Sequence, residues 1–279
     1  MRGEFSRAAL TALLQYGARM EALIVPRRVP GEEARGPLPP RRSLLGPEDA
    51  VALATATGLP VFELGPLDHP SALAVLDALA PDLVCVACFP RRLPSAWRER
   101  PGLGAVNIHP SLLPAYRGPV PLFWQLRAGE RRTGVTVHFV DEGLDTGDVV
   151  AQAEVPLAED TRREEAERQL AAEGARLLAD ALAHPSLPRR PQGDEGASRQ
   201  GWPGDEDRVI PTSWPARHAF RFIQGAAAFA PFTIDTGEER LAVERALEVL
   251  EGDASEPVRR EGGRLFVRFT PGVLVVPAR

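Results

Sequence analysis

Short apolar runs and helix-like stretches take turns along the first 110 residues, and that alternation limits the chain to few architectures. Leu10, Leu13 and Leu14 share one face of a helix over 6–16, which Ser6 would cap and Gly17 would stop. A strand over 21–25, a Pro- and Arg-rich loop, a helix over 47–56, a strand over 60–63, a helix over 70–79 and a strand over 83–87 follow. Strands separated by helices cannot be joined as hairpins, so they lie parallel, with helices covering both faces of the sheet. The expected fold is α/β, with a Rossmann-like, mostly parallel sheet. Such a domain normally opens on a strand, yet only residues 1–3 precede the first helix. The expectation is that the first strand is missing and that the true start lies upstream of Met1.

The pattern continues with strands over 104–108, 134–140 and 149–155 and a helix over 120–127. In the strand at 134–140, Val135, Val137 and Phe139 fall on one face, with Thr136, His138 and Val140 on the other. A long helix over 161–184 closes this part; Thr161 and Glu164 fit a capping box, and Pro185 ends it. From 185 to 207 the sequence is rich in Pro, Gly, Arg, Asp and Glu, which reads as a linker. A helix over 215–224 and strands over 232–235, 241–250, 265–269 and 273–276 then suggest a small β-rich domain resembling an incomplete Greek-key barrel. The expected organisation is a catalytic domain at 1–184, a linker at 185–207 and a β-rich domain at 208–279.

Composition removes several function classes. The chain has no lysine, all 33 basic residues being arginine, which excludes a Schiff-base lysine and a complete phosphate-binding loop. A net charge of -5 gives no overall pull toward nucleic acid, and DNA is not an expected partner. No apolar run approaches the ~20 residues of a membrane span, and the first residues lack the apolar block of a signal peptide, so a cytoplasmic protein without a membrane partner is expected. Cys85 and Cys88 fall on a strand-like run, where residues three apart point to opposite faces, and read as two buried thiols rather than a redox or metal pair. No metal site is expected.

The chemistry concentrates between Val106 and Asp148. Asn107 and His109 stand two apart at a strand's end, so both side chains leave the same face. The carboxyl edge of a parallel sheet is where open α/β proteins bind ligands, and Asp145, in the loop after another strand, can reach the same crevice. An amide, an imidazole and a carboxylate suit acyl transfer to an amine. The amine is itself the nucleophile, so the site needs only donors for the oxyanion and a group to take the amine's proton. Asn107 and His109 would donate, while Asp145 would stabilise a charged imidazole or accept the proton. His69, His138, His184 and His218 read as structural or exposed, and Asp141, Glu142 and Asp148 as turn formers or solvated acids.

The segments Asn-Ile-His-Pro-Ser-Leu-Leu-Pro-Ala-Tyr-Arg-Gly, from Asn107, and Thr-Gly-Val-Thr-Val-His-Phe-Val-Asp-Glu-Gly-Leu-Asp-Thr-Gly-Asp, ending at Asp148, closely resemble the folate-dependent formyltransferases. That family acts on methionyl-tRNA, glycinamide ribonucleotide or amino sugars. The resemblance implies that Asn107, His109 and Asp145 are the catalytic set and that 10-formyltetrahydrofolate is the formyl donor. It implies a folate pocket from Phe89, Arg91, Arg92 and Leu93 and from the loop holding Val140, Asp141, Gly143 and Leu144. Here the chain departs from the family in having Pro90.

The acceptor stays open at this level. By analogy with the tRNA enzymes, Ser111, Arg117, Arg41 and Arg42 would meet the acceptor, with Arg27 and Arg28 in the same Arg-rich loop. Residues 208–279 carry 10 arginines against 9 acids, a net of +1, whereas a tRNA reader is usually more basic. Methionyl-tRNA and a small amine such as an amino-sugar nucleotide are both expected acceptors, and a degenerate folate-binding relative is a third reading.

Overall fold

The structure, a computed structural model, describes residues 3–27, 49–156, 158, 161–252 and 254–278. Arg28, Arg41, Arg42 and most of the Arg-rich loop lie outside the described residues. Helix α1, Glu4–Gln15, is followed by strand β1 (Leu23–Pro26), α2 (Ala50–Ala56), β2 (Val61–Leu64), α3 (Pro70–Leu79) and β3 (Val84–Val86). The alternation is as the sequence predicts, but the strands form two sheets. β1 pairs parallel with β2, while β3 pairs parallel with β4 (Ala105–His109). β5 (Arg132–Phe139) and β6 (Val149–Pro156) then return antiparallel, in the order β3-β4-β5-β6. A short helix α4 (Ser95–Glu99), with Trp97 buried, was not expected from the sequence.

α1 spans both sheets. Its Phe5, Ala9 and Leu13 pack with Ala87, Val106 and Ile108, while its Leu10 packs with Leu23 and Val25 of β1. That burial starts the helix earlier than Ser6 would. Gly3 is the N-cap, and the fully buried Ser6 donates its hydroxyl to Ala87 O at 3.0 Å instead of capping.

The expectation of two buried thiols fails. Cys85 is half-buried and Cys88, at φ 58°, is exposed. β3 is only three residues long, and its single strand partner among the described residues is β4, which leaves its other edge open.

Helix α6 (Arg163–Leu182) lies across β4 and β5. Its approach requires Gly174, where any Cβ would strike the Ile108 side chain. The predicted capping box is absent: Arg162 is the N-cap, so Thr161 sits one position too early, and Glu164 and Glu165 instead place negative charge in the first turn.

The segment read as a linker lies along the catalytic part. Arg190 exchanges main-chain hydrogen bonds with Val149, at 2.8 and 3.0 Å. Farther on, Arg117 N donates to Ser198 O and Gln200 N donates to Arg117 O. Main-chain pairing of this kind leaves no mark on side-chain periodicity, so composition alone suggested slack chain.

Beyond it, β7 (Val209–Pro211), β8 (Phe232–Asp235) and β9 (Arg240–Val243) form one sheet. β10 (Glu248–Leu250), β11 (Val258–Glu261), β12 (Arg264–Arg268) and β13 (Val273–Pro277) form another, in the Greek-key order β10-β13-β12-β11. The run predicted as one strand over 241–250 is therefore two strands in different sheets. Helix α7 (Ala216–Gly225) supplies Phe222 and Ile223 to the shared core. Leu122, Phe123 and Leu126 of α5 (Pro121–Arg127) enter the same core, which ties this region to the catalytic part by apolar packing. No helix among the described residues is long and apolar enough to cross a membrane.

Candidate active site

β4 positions the first two groups by strand alternation. Val106 and Ile108 face the core under α6, so Asn107 and His109 face the opposite side. Opposite Asn107 in register stands His138 of β5. A register shift between Val137 and His138 distorts the β5–β6 ladder beside the site, and bulges commonly re-aim a side chain in this way. Asp145 comes from the turn joining β5 and β6, closed by Phe139 N donating to Asp148 O at 2.8 Å.

The three predicted residues converge. Asn107 Nδ2 lies 3.4 Å from Asp145 Oδ1, and His109 Nδ1 lies 3.7 Å from Asp145 Oδ2. The Asp145 side chain is 11% exposed. Its Oδ2 accepts a hydrogen bond from Gly118 N at 2.9 Å, which holds the carboxylate at one corner and leaves Oδ1 toward Asn107 and His138. Gly118 is required here: its φ is +127°, and a Cβ would collide with Gln200 O of the preceding-to-β7 segment. Asp145 itself has φ 56°, a left-handed conformation that an L-residue adopts at a cost of roughly 1–2 kcal/mol.

Hydrogen-bond chemistry fixes the tautomers. His109 Nε2 is 3.0 Å from Tyr116 O, which can only accept, so Nε2 carries the proton and Nδ1 turns to Asp145. His138 Nδ1 donates to Phe139 O at 2.8 Å, leaving Nε2 to accept from Asn107 Nδ2 at 3.2 Å. Burial pushes the His138 imidazole down to about 4, and the adjacent His109 acts in the same direction against Asp145. His138 is therefore neutral near pH 7, the state in which it can accept from Asn107. His138, read from the sequence as structural or exposed, is buried and bonded beside Asn107; that register is invisible in sequence, although its two-residue spacing from Thr136 on one strand face was legible.

The loop after β4 is pinned from below. Thr136 Oγ1 donates to Ser111 O at 2.7 Å, and Gln152 Nε2 donates to Leu113 O at 2.9 Å. Ser111 is fully buried, its hydroxyl donating to Ala115 O at 2.8 Å. Arg117 is half-buried, its guanidinium donating to Gln192 Oε1 at 2.7 Å. These contacts shape the loop that delivers Tyr116 O to His109 and Gly118 N to Asp145.

A cavity of about 270 Å³ adjoins the turn, with Val140, Asp141, Thr146 and Gly147 among its walls. That is below the roughly 300–1,000 Å³ typical of small-molecule sites, and none of Asn107, His109 and Asp145 is among its walls. Its other walls include Arg98, Phe139 and Arg189, none of which the sequence singled out. Asp141 is the turn former expected, accepting from Gly143 N at 3.0 Å and from Thr146 Oγ1 at 2.8 Å. Among the remaining folate-pocket candidates, Phe89 and Leu93 pack against the cluster of Leu64, Leu67 and Trp97, and Arg92 Nη1 reaches Glu142 O at 3.4 Å. Arg91 donates to Gly65 O at 2.9 Å and Arg27 O at 3.0 Å, at the carboxyl ends of β2 and β1. Leu144 directly precedes Asp145 in the turn. His218 stacks on Trp214 at 4.0 Å and serves packing, as expected. No group of three or more metal-binding side chains occurs among the described residues.

A family profile described as "Formyl transferase" matches residues 51–182. The chain is similar to a methionyl-tRNA formyltransferase of Syntrophus aciditrophicus (strain SB), 38% identical over 74% of this chain and 65% of the relative. It is also similar to one of Symbiobacterium thermophilum, 33% identical over 95% of this chain and 84% of the relative. The chain thus spans just under two thirds of the first of these. Among solved structures, an N-formyltransferase of Helicobacter canadensis, in complex with folinic acid and dTDP-3-aminofucose, superposes with a TM-score of 0.62 at 14% identity, covering 99% of this chain and 96% of that one.

Proposed function

Because the chain belongs to the folate-dependent formyltransferase family, we propose that it transfers a formyl group from 10-formyltetrahydrofolate to the amine of methionyl-tRNA. The observation that carries this reading is the convergence of Asn107 and His109 on Asp145 at the carboxyl end of β4. The neighbouring Ser111 hydroxyl is held by Ala115 O, so the amine itself is the nucleophile. As the amine attacks, charge builds on the formyl oxygen. Asn107 Nδ2 donates to it, releasing the long 3.4 Å contact with Asp145 and keeping the one to His138. His109 supplies a second donor when Nδ1 takes a proton. The Asp145 carboxylate accepts the proton that leaves the amine, directly or through one water. As the tetrahedral intermediate collapses, the bond from the formyl carbon to N10 breaks and that proton passes to N10, so tetrahydrofolate leaves neutral at N10.

The turn holding Val140, Asp141, Gly143 and Leu144 offers backbone groups to a pterin edge, and Phe89, Arg91, Arg92 and Leu93 lie toward the rest of the donor. Catalysis is assigned to residues 1–184, connection to 185–207, and help in holding the acceptor to 208–279 with Ser111 and Arg117. Arg41 and Arg42 remain acceptor candidates on sequence grounds. The acceptor is taken as methionyl-tRNA because relatives at 33–38% identity carry that name.

The test is to supply 10-formyltetrahydrofolate with methionyl-tRNA or with an amino-sugar nucleotide and to follow release of tetrahydrofolate. Formylation of the tRNA is expected, with a KM that rises steeply with salt as phosphate contacts are screened. Turnover with the sugar nucleotide alone would move the acceptor assignment, and absence of release with every amine would remove the activity.

A further inference from the structure

The segment before β7 does more than join two regions. It crosses the reaction site as a strap and meets it most closely through one side chain, the half-buried Gln192. Gln192 Nε2 donates to two carbonyls of the catalytic turn, Asp145 O at 3.0 Å and Gly147 O at 2.7 Å. Gln192 Oε1 accepts from Arg117 Nη2 at 2.7 Å and Nε at 3.2 Å. The amide cannot be reversed, since that would set an oxygen against two carbonyls and an NH2 against a guanidinium.

This arrangement holds the turn that needs holding. Asp145 sits in a left-handed conformation, so its backbone gains from relaxing unless something fixes it. Its carboxylate is tied to Gly118 N, one residue after Arg117. Gln192 therefore clamps the same two loops a second time, main chain on one side and guanidinium on the other. Ser198 Oγ, accepting from Tyr116 N at 2.8 Å, secures the strap to the residue whose carbonyl sets the His109 tautomer.

We infer that Gln192 is a positioning residue for formyl transfer: it fixes where the Asp145 carboxylate points and locks Arg117 to the same frame, making the strap part of the reaction site. This rests on the reading of Asp145 as the proton acceptor. A leucine in its place has the size but none of the four hydrogen bonds. A glutamate keeps the acceptor for Arg117 but turns both donations to the catalytic turn into repulsions.

The experiment compares full-length wild type, Gln192→Leu and Gln192→Glu by steady-state kinetics with 10-formyltetrahydrofolate, by thermal unfolding, and by hydrogen exchange of peptides covering 114–120 and 140–148. Misplacement of a reacting group by about 1 Å can cost on the order of 10²-fold. The expected result is a kcat lower by roughly 10- to 100-fold in both variants, with KM for the donor within about twofold and faster exchange confined to those two peptides. Glutamate as impaired as leucine assigns the effect to the catalytic turn rather than to Arg117. A Gln192→Leu kcat within about twofold of wild type, or unchanged exchange in 140–148, overturns the inference. So does a loss that tracks a general fall in unfolding temperature. If wild type transfers no formyl group, the reading of the site falls, and the exchange measurement alone decides the clamp.

Discussion

Around Asp145 the chain is held by direction: Gly118 N, Asn107 Nδ2, two imidazoles and the Gln192 amide each meet one particular atom. Under α7 it is held by area: Phe222 is fully buried, with ring centroids of Phe123 and Phe232 each 5.2 Å away and Trp214 at 5.7 Å. Directional contacts in the first region set where charge and protons go, and each adds little net stability because water would have satisfied the same groups. Apolar contacts in the second add stability whatever their orientation. Turnover and stability should therefore separate by region.

The largest effect expected is on the apolar side. Phe222→Ala should lower unfolding free energy by about 3–5 kcal/mol in urea titration, with the folded fraction keeping its kcat. A loss below ~1 kcal/mol would show that the core under α7 is loosely packed and would break the contrast. Next in size is His109→Ala, expected to reduce kcat on the order of 10², about 2.7 kcal/mol of transition-state stabilisation, with donor binding little changed. Equal turnover in the two proteins would remove His109 from the reaction.

The effect smallest per unit of perturbation, a slope rather than a step, probes the border between the two materials, since His138 is buried like the core but bonded like the site. Its folded pKa of about 4 lies below the ordinary 6.5, so between these values the unfolded chain binds a proton that the folded chain refuses. Its contribution to stability is thus complete above pH 6.5 and is lost as pH falls toward 4, with a slope of up to about 1.4 kcal/mol per pH unit. His138→Gln, which keeps an acceptor for Asn107, should flatten the fall of stability over that window relative to wild type. Parallel pH profiles for the two proteins would show that His138 is not held neutral.

The same contrast explains what the sequence made legible. The convergence of Asn107, His109 and Asp145 was readable because their types carry chemistry, strand alternation fixed the shared face of Asn107 and His109, and Asp145 lay in the loop after a neighbouring strand. The apolar patterns of α3, β6 and α7 were readable because periodicity reports burial. What escaped was whatever depends on partners distant in sequence. His138 belongs to the site through register with a strand 31 positions away, and Gln192 through carbonyls 45 and 47 positions away. The ladder between Val149 and Arg190 is main-chain bonding that no side-chain pattern records. The helix starts at Gly3 and Arg162 were missed because buried neighbours and local geometry overrode the cap residues.

The strap also sets a schedule. A chain emerging from the ribosome presents Asn107, His109, His138 and Asp145 well before residues 192 and 198, and Tyr116 N waits for a hydroxyl 82 positions downstream. During that interval the nascent domain holds these side chains but not the Gln192 and Ser198 contacts that brace their loops. Bracing of the Asp145 turn is deferred until the strap itself has been synthesised, so the two loops gain their common clamp only after both have emerged.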